Sequence, residues 1–254
     1  MASWGTNRRN LIIFIIFAIL ISVGGLVTGV FYYEESTCFD EKQNGLESGI
    51  DCGGSCQLLC SNQLIEPIVQ WNRHFEVVPG IYNVLAYVEN PNPTAGSERA
   101  EYVFKLFNRE NVQLAERNGS IEINPKEVIP IIETNLNTGE LIPFRSTFEF
   151  TNNIVWEKKN PTEKVLVIRD ENLSLDDGLP EITAEVFNSS IQAIKNIAVL
   201  VIVYDINDNA IASSRTFVDS LGKDQSKNII FTWPSPFQTQ YSRFEIIPLY
   251  DSSN

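Results

Sequence analysis

The chain has one histidine, one methionine and four cysteines among its 254 residues, and the shortage of histidine removes a class of chemistry. A lone histidine, His74, cannot build a multi-histidine metal centre. Triad hydrolysis would need it buried beside a nucleophile, and no G-x-S-x-G elbow presents a serine for that role. Phosphate-cradling glycine loops are missing too; the pair Gly24-Gly25 lies inside an apolar run. The adjacent acids Asp176-Asp177 sit in a polar stretch that holds them poorly for paired-carboxylate work on a glycosidic bond. Bases are scarce as well: 19 Lys and Arg against 32 Asp and Glu leave a net charge of −13. A nucleic-acid partner would require a basic patch, so none is expected. No catalytic residue is assigned and the chain is read as a non-enzyme.

Long apolar runs are confined to one place. Leu11 to Tyr33 is uncharged throughout, and as a helix its 23 residues would span about 34 Å, enough for a hydrocarbon core of about 30 Å. Arg8 and Arg9 precede it and Glu34 and Glu35 follow, a bias that keeps the N-terminus cytoplasmic. Trp4, Tyr32 and Tyr33 suit the two interfacial belts. A cleaved signal peptide is the competing reading, but its apolar core is usually shorter and no A-x-A-like site follows. Residues 1–10 are therefore expected to be a cytoplasmic tail and 11–33 a transmembrane anchor, everything beyond being exported to the extracytoplasmic side of the plasma membrane. Gly25 and Gly29 form a G-x-x-x-G step that would allow close helix contact.

All the cysteines fall in "CFDEKQNGLESGIDCGGSCQLLC", residues 38–60. Outside the cytoplasm, Cys38, Cys52, Cys56 and Cys60 are expected to form two disulfides, with three connectivities open. A zinc site would favour paired C-x-x-C arms over the spacings of thirteen, three and three residues found here. Gly53-Gly54 supplies the turn such crowding needs. Asp40, Asn44 and Asp51 fall at ligand positions of an EF-hand-like loop, although Lys42 occupies one. Asp40, Asn44, Glu47 and Asp51 are the candidate calcium ligands; the plain alternative is a polar turn, with no cofactor. The stretch resembles a bacterial extracellular module, C-x-D-G-x-x-N-G-x-E-x-G-x-D-C-G-G-x-C-x-x-C. It departs at Glu41, where the module has Gly, and at Cys60, one residue late. The resemblance implies an extracellular location.

The remainder repeats. Val84, Ala86, Val88 and Asn90 recur 98 residues later as Ile182, Ala184, Val186 and Asn188. The alternation in "YVFKLF" predicts a half-buried strand, and the unbroken run "AVLVIVY" a fully buried one. Two β-domains of this length suit immunoglobulin-like sandwiches. The expected architecture is all-β, two tandem immunoglobulin-like sandwiches at 65–164 and 165–250, after a disulfide-rich linker at 34–62 and the one transmembrane helix. A polar boundary at Asp170–Pro180, or one just before Val165, would divide them. "YDINDNA" reads as a hairpin turn before a calcium loop. Phe104, Leu106, Phe107 and Asn108, with Val201, Val203, Tyr204 and Asp205, resemble the F-x-L-Y-D strand of FxLYD-type domains. That resemblance implies exported binding or spacer modules without known chemistry. Sequons occur at Asn118, Asn172 and Asn188. The expected function is a single-pass, membrane-anchored binding or spacer protein of the cell envelope or surface, its partner another protein or an envelope component. The alternative is the extracytoplasmic sensing or accessory subunit of a receptor or transport complex, with a ligand between the domains.

Overall fold

The computed structural model describes residues 4–32, 36–161 and 163–250. They form two compact units that divide after Cys56. The first unit holds helix α1 (Trp4–Tyr32) and most of the cysteine stretch. From Arg8 to Gly29 every side chain of α1 is exposed, Phe14 and Leu26 included. A helix apolar on all sides offers no polar face to water, and among the described residues it alone is long and apolar enough to cross a membrane. Two of its hydroxyls are satisfied internally: Ser22 donates to the Ala18 carbonyl and Thr28 to that of Gly24, both at 2.9 Å. Tyr33, Glu34 and Glu35, part of the orientation argument, lie outside the described residues.

The second unit is all-β and antiparallel, as the apolar periodicity predicts. Its first sandwich comprises β1 (Ile68–Val78), β2 (Ile81–Glu89), β3 (Ala95–Phe107), β4 (Gln113–Ile123), β5 (Val128–Asn137), β6 (Arg145–Phe150) and β7 (Glu157–Lys158). The second comprises β8 (Leu166–Asp176), β9 (Leu179–Asn188), β10 (Ile194–Asp205), β11 (Ala210–Leu221), β12 (Ser226–Thr232) and β13 (Tyr241–Leu249). Sheets β1-β2-β5 and β8-β9-β12 are equivalent, as are β4-β3-β6 and β11-β10-β13; β7 pairs with the start of β3. Each repeat is thus a two-sheet antiparallel sandwich of the immunoglobulin-like kind, with its fourth strand on the sheet of the third and sixth rather than beside the fifth.

Alternation along the central strands decides how the sandwiches meet. In β2, Tyr82, Val84, Ala86 and Val88 enter the first core with Phe104, Leu106 and Phe148. Leu85 and Tyr87 point the other way. In β10, Ile197, Val199, Val201 and Val203 enter the second core, while Leu200, Ile202 and Tyr204 face outward. These outward faces meet in a third core, with Phe75, Leu85 and Ile132 against Leu200, Ile202, Tyr204 and Ala210. The four sheets therefore stack face to face, and at about 10 Å per gap the stack is about 30 Å deep. "AVLVIVY" has no polar position because β10 is covered on both faces.

Two local features depart from expectation or refine it. The polar stretch Asp170–Pro180 is not a linker: it is the exposed edge strand β8 and its hairpin into β9. Asp177 (φ 48°) and Gly178 (φ 83°) make the paired positive-φ turn that an Asp-Gly step favours. Residues 57–64 run along the first sandwich. Leu59 donates its N–H to the Trp156 carbonyl at 2.8 Å, Lys158 donates to that of Gln57 at 2.9 Å, and Leu59 and Leu64 pack on the first core.

Candidate functional site

The cysteine stretch is fully oxidised. Cys38 is bonded to Cys56 with their Cα atoms 5.7 Å apart, which selects one of the three connectivities; Cys52 and Cys60 are disulfide-bonded too, and no cysteine is free. Cys38, Glu47 and Cys56 cluster as three liganding atoms would, but sulfurs shared in a disulfide are not thiolates. Gly53 and Gly54 adopt φ of 74° and 56°. A Cβ at Gly54 would lie 1.6 Å from the Leu46 carbonyl oxygen, so no other residue fits. Glu41 takes φ of 59°, a left-handed conformation that glycine adopts without strain.

The four calcium candidates are brought together, and the carboxylates of Asp40, Glu47 and Asp51 accept bonds from donors of the loop itself. The Asp51 carboxylate accepts the N–H groups of Asp40 and Glu41, each at 2.9 Å. Asp40 accepts the Lys42 N–H at 3.0 Å and the Asn44 side-chain amide at 2.8 Å. The Asn44 amide is the main reason its carboxyl is held below the ordinary value. Glu47 accepts the Asn44 N–H at 3.2 Å. Asn44 Oδ1 is buried without a hydrogen-bond partner. On α1, a Cβ added at Gly25 or Gly29 would meet nothing within 4 Å, so no contact among the described residues accounts for these glycines.

The last position of each F-x-L-Y-D-like strand closes a hairpin. Asn108 Oδ1 accepts the Val112 N–H at 2.7 Å. Asp205 Oδ1 accepts the N–H groups of Asn207 and Asn209, both at 2.8 Å, and Oδ2 accepts the Asn209 amide at 3.1 Å. The backbone bond from Asn209 leads the causes that lower the Asp205 carboxyl. "YDINDNA" is thus an Asx-stabilised turn. Of the sequons, Asn118 and Asn172 are exposed, whereas Asn188 is fully buried.

The sandwich junction carries polar contacts that a single-strand reading could not foresee. The hydroxyls of Tyr87, from the first sandwich, and Tyr204, from the second, both donate to Glu245 Oε2, at 3.2 and 3.3 Å. Burial is the main cause that pushes Tyr204 up to about 12, followed by the Glu245 charge; Tyr87 rises for the same two reasons. Both phenols stay protonated as donors. Trp71 stacks on Tyr87 with centroids 5.0 Å apart. Asn83 donates to the Ser213 carbonyl at 3.1 Å, and Arg215 to that of Ile132 at 3.0 Å.

A groove opens at each end of this junction. One, about 950 Å³, runs between the β5 and β13 edges and takes in Tyr87, Glu127, Pro130, Ile168, Glu245 and Pro248. The other, about 880 Å³, is lined by His74, Tyr82, Phe144, Trp233 and Phe237 among others. His74 sits edge-on to Tyr82, and burial lowers its pKa.

No family model matches this chain, and neither does any curated protein. Among solved structures, the N-terminal CBM22-1–CBM22-2 tandem domain of Paenibacillus barcinonensis Xyn10C overlaps 75% of this chain and 87% of its own. At 7% identity and a TM-score of 0.16, that overlap carries no argument.

Proposed function

We propose that the chain is a single-pass, membrane-anchored, exported protein of the cell envelope or surface, whose double sandwich is a non-enzymatic binding body. The observation that carries this reading is the third core. Modules joined end to end make a spacer, whereas Leu85, Ile132, Leu200 and Ile202 bury the broad faces of both sandwiches against one another. The product is one rigid block with preformed grooves, the usual form of a recognition site. Exposed apolar α1, the oxidised cysteines and the module resemblance support export and anchoring. The hairpin roles of Asn108 and Asp205 agree with the FxLYD-type resemblance. The junction grooves also suit the second reading, an extracytoplasmic sensing or accessory subunit.

Protease added outside intact spheroplasts should degrade the region after Tyr33; protection would overturn the topology. Detergent co-purification then separates the readings, since a stoichiometric membrane complex favours the accessory subunit. Calcium remains a proposal for Asp40, Asn44, Glu47 and Asp51. Millimolar calcium should protect the oxidised loop from proteolysis and Asp40→Ala should abolish that protection; indifference to calcium leaves a disulfide-stapled turn.

A further inference from the structure

We infer that the groove between the β5 and β13 edges docks a lysine- or arginine-bearing segment of a partner protein, an assignment that rests on the binding reading above. Its apolar part includes Val128, Ile168, Pro248 and Leu249, which are contributed by both sandwiches and keep exposed surface beside the third core. Such a surface takes an extended chain, and the question is which kind.

Backbone pairing is disfavoured. β5 and β13 are both edge strands, and each carries a proline in the groove, Pro130 and Pro248. Proline has no N–H to offer an added strand, so these edges are blunted against augmentation. Recognition therefore falls to side chains, and charge chooses among them. Glu98, Glu122, Glu127, Glu163 and Glu245 line the groove against Arg99, Lys126 and Lys164. Arg99 is turned to Glu101 at 3.3 Å, and Glu122 is paired with Lys159. That leaves Glu98, Glu127, Glu163 and Glu245 facing the space beside two lysines. Glu245 is fixed there by the two tyrosine hydroxyls. The chain's −13 adds a long-range field of the same sign. An alternating cationic and apolar segment satisfies both the floor and the rim.

The test uses full-length protein in neutral detergent and a fluorescein-labelled peptide of alternating lysine and leucine, followed by anisotropy. Binding should weaken as ionic strength rises through the physiological range. Replacing Glu98, Glu127 and Glu163 together by Gln should cost about tenfold in affinity with the melting temperature unchanged. Asp176→Asn, Asp177→Asn and Glu110→Gln, at the opposite end, should cost about twofold or less. Glu163→Lys alone serves if the triple variant fails to fold, and should also weaken binding. Equal binding of a glutamate–leucine peptide, equal loss in the distant control, or no binding of the cationic peptide overturns the assignment. A partner crosslinked in membranes whose yield ignores the Gln variants overturns the groove alone; absence of any partner counts against the binding reading itself.

Discussion

Asn188 offers the sharpest test of how each sandwich is closed. It has no exposed surface, and its side-chain amide donates to the carbonyls of Gln192, Leu221 and Gly222 at 2.8, 3.0 and 3.1 Å. Its Oδ1 accepts the Ser190 N–H at 2.9 Å. One side chain thus ties the β9–β10 turn to the end of β11. Asn188→Ala orphans the part-buried Ser190 N–H, at about 1–2 kcal/mol, and removes one donor from each of three carbonyls, at about 0.5–1 kcal/mol apiece. The expected loss is about 3–4 kcal/mol, which few substitutions reach. Asn188→Asp keeps the acceptor but sets a charge against three carbonyl oxygens, so it should be worse than Ala at neutral pH. Its carboxyl would titrate above the unfolded value, and stability should therefore return as the pH falls. Urea unfolding of the full chain in neutral detergent reads this through tryptophan fluorescence, with Trp71 and Trp156 in the first sandwich and Trp233 in the second. An alanine variant within about 0.5 kcal/mol of the parent would refute the reasoning.

Because the third core joins the sandwiches, the three sandwich tryptophans should report one transition. Ile202→Ala, at a fully buried junction position, should cost about 2–5 kcal/mol and split it; separate transitions in the parent protein would deny the coupling. Asp205 predicts an acid effect confined to the second repeat. Its lowered carboxyl contributes stability above the unfolded value near 3.8 that is lost as the pH falls through the lower folded value. Amide exchange at Asn207 and Asn209 should rise in that window while Val112, bonded to the neutral Asn108, stays protected; equal loss at both hairpins would contradict this. Glu41→Gly should relieve the left-handed backbone by about 1 kcal/mol and make the Cys38–Cys56 bridge correspondingly harder to reduce, as read by thiol titration against dithiothreitol. An unchanged reduction equilibrium would remove strain at Glu41 from the account.

Much of the framework is legible in the sequence because it obeys local rules. The uncharged run of α1, the crowding of four cysteines beside Gly53-Gly54 and the 98-residue repeat all follow from short-range pattern. Asp170–Pro180 resembles a linker for an equally local reason. An edge strand exposed on most positions loses its apolar period, and its polarity masks the Asp177-Gly178 hairpin signal. Disulfide connectivity is not legible, since spacing leaves three choices and only the folded loop brings Cys38 to Cys56. The grooves are hidden for another reason: each is assembled from strands of both repeats.

One signal for the junction is nevertheless present, in where the repeats disagree. Shared positions such as Asn90 and Asn188 maintain each sandwich. Asn90, like its counterpart, is buried and donates to two carbonyls, Ala95 at 2.7 Å and Asn124 at 2.8 Å. The junction is not symmetric: the β1-β2-β5 sheet of the first repeat packs on the β11-β10-β13 sheet of the second. The equivalent outer sheets must therefore be prevented from stacking further, because a head-to-tail contact that does not close can propagate. Sequence differences do this at the facing positions. Trp71, Leu85 and Tyr87 at the junction become Arg169, Thr183 and Glu185 on the free face of the second repeat. Ile202 and Ile247 correspond to Lys105 and Glu149 on the free face of the first, where the two pair at 2.6 Å. Apolar in one copy and polar or charged in the other is the mark of a stack that ends at two, with polar terminal faces as the ends of repeat arrays have. The grooves lie at the two ends of the single junction this pattern permits, so the asymmetry that limits assembly also fixes where recognition surfaces form.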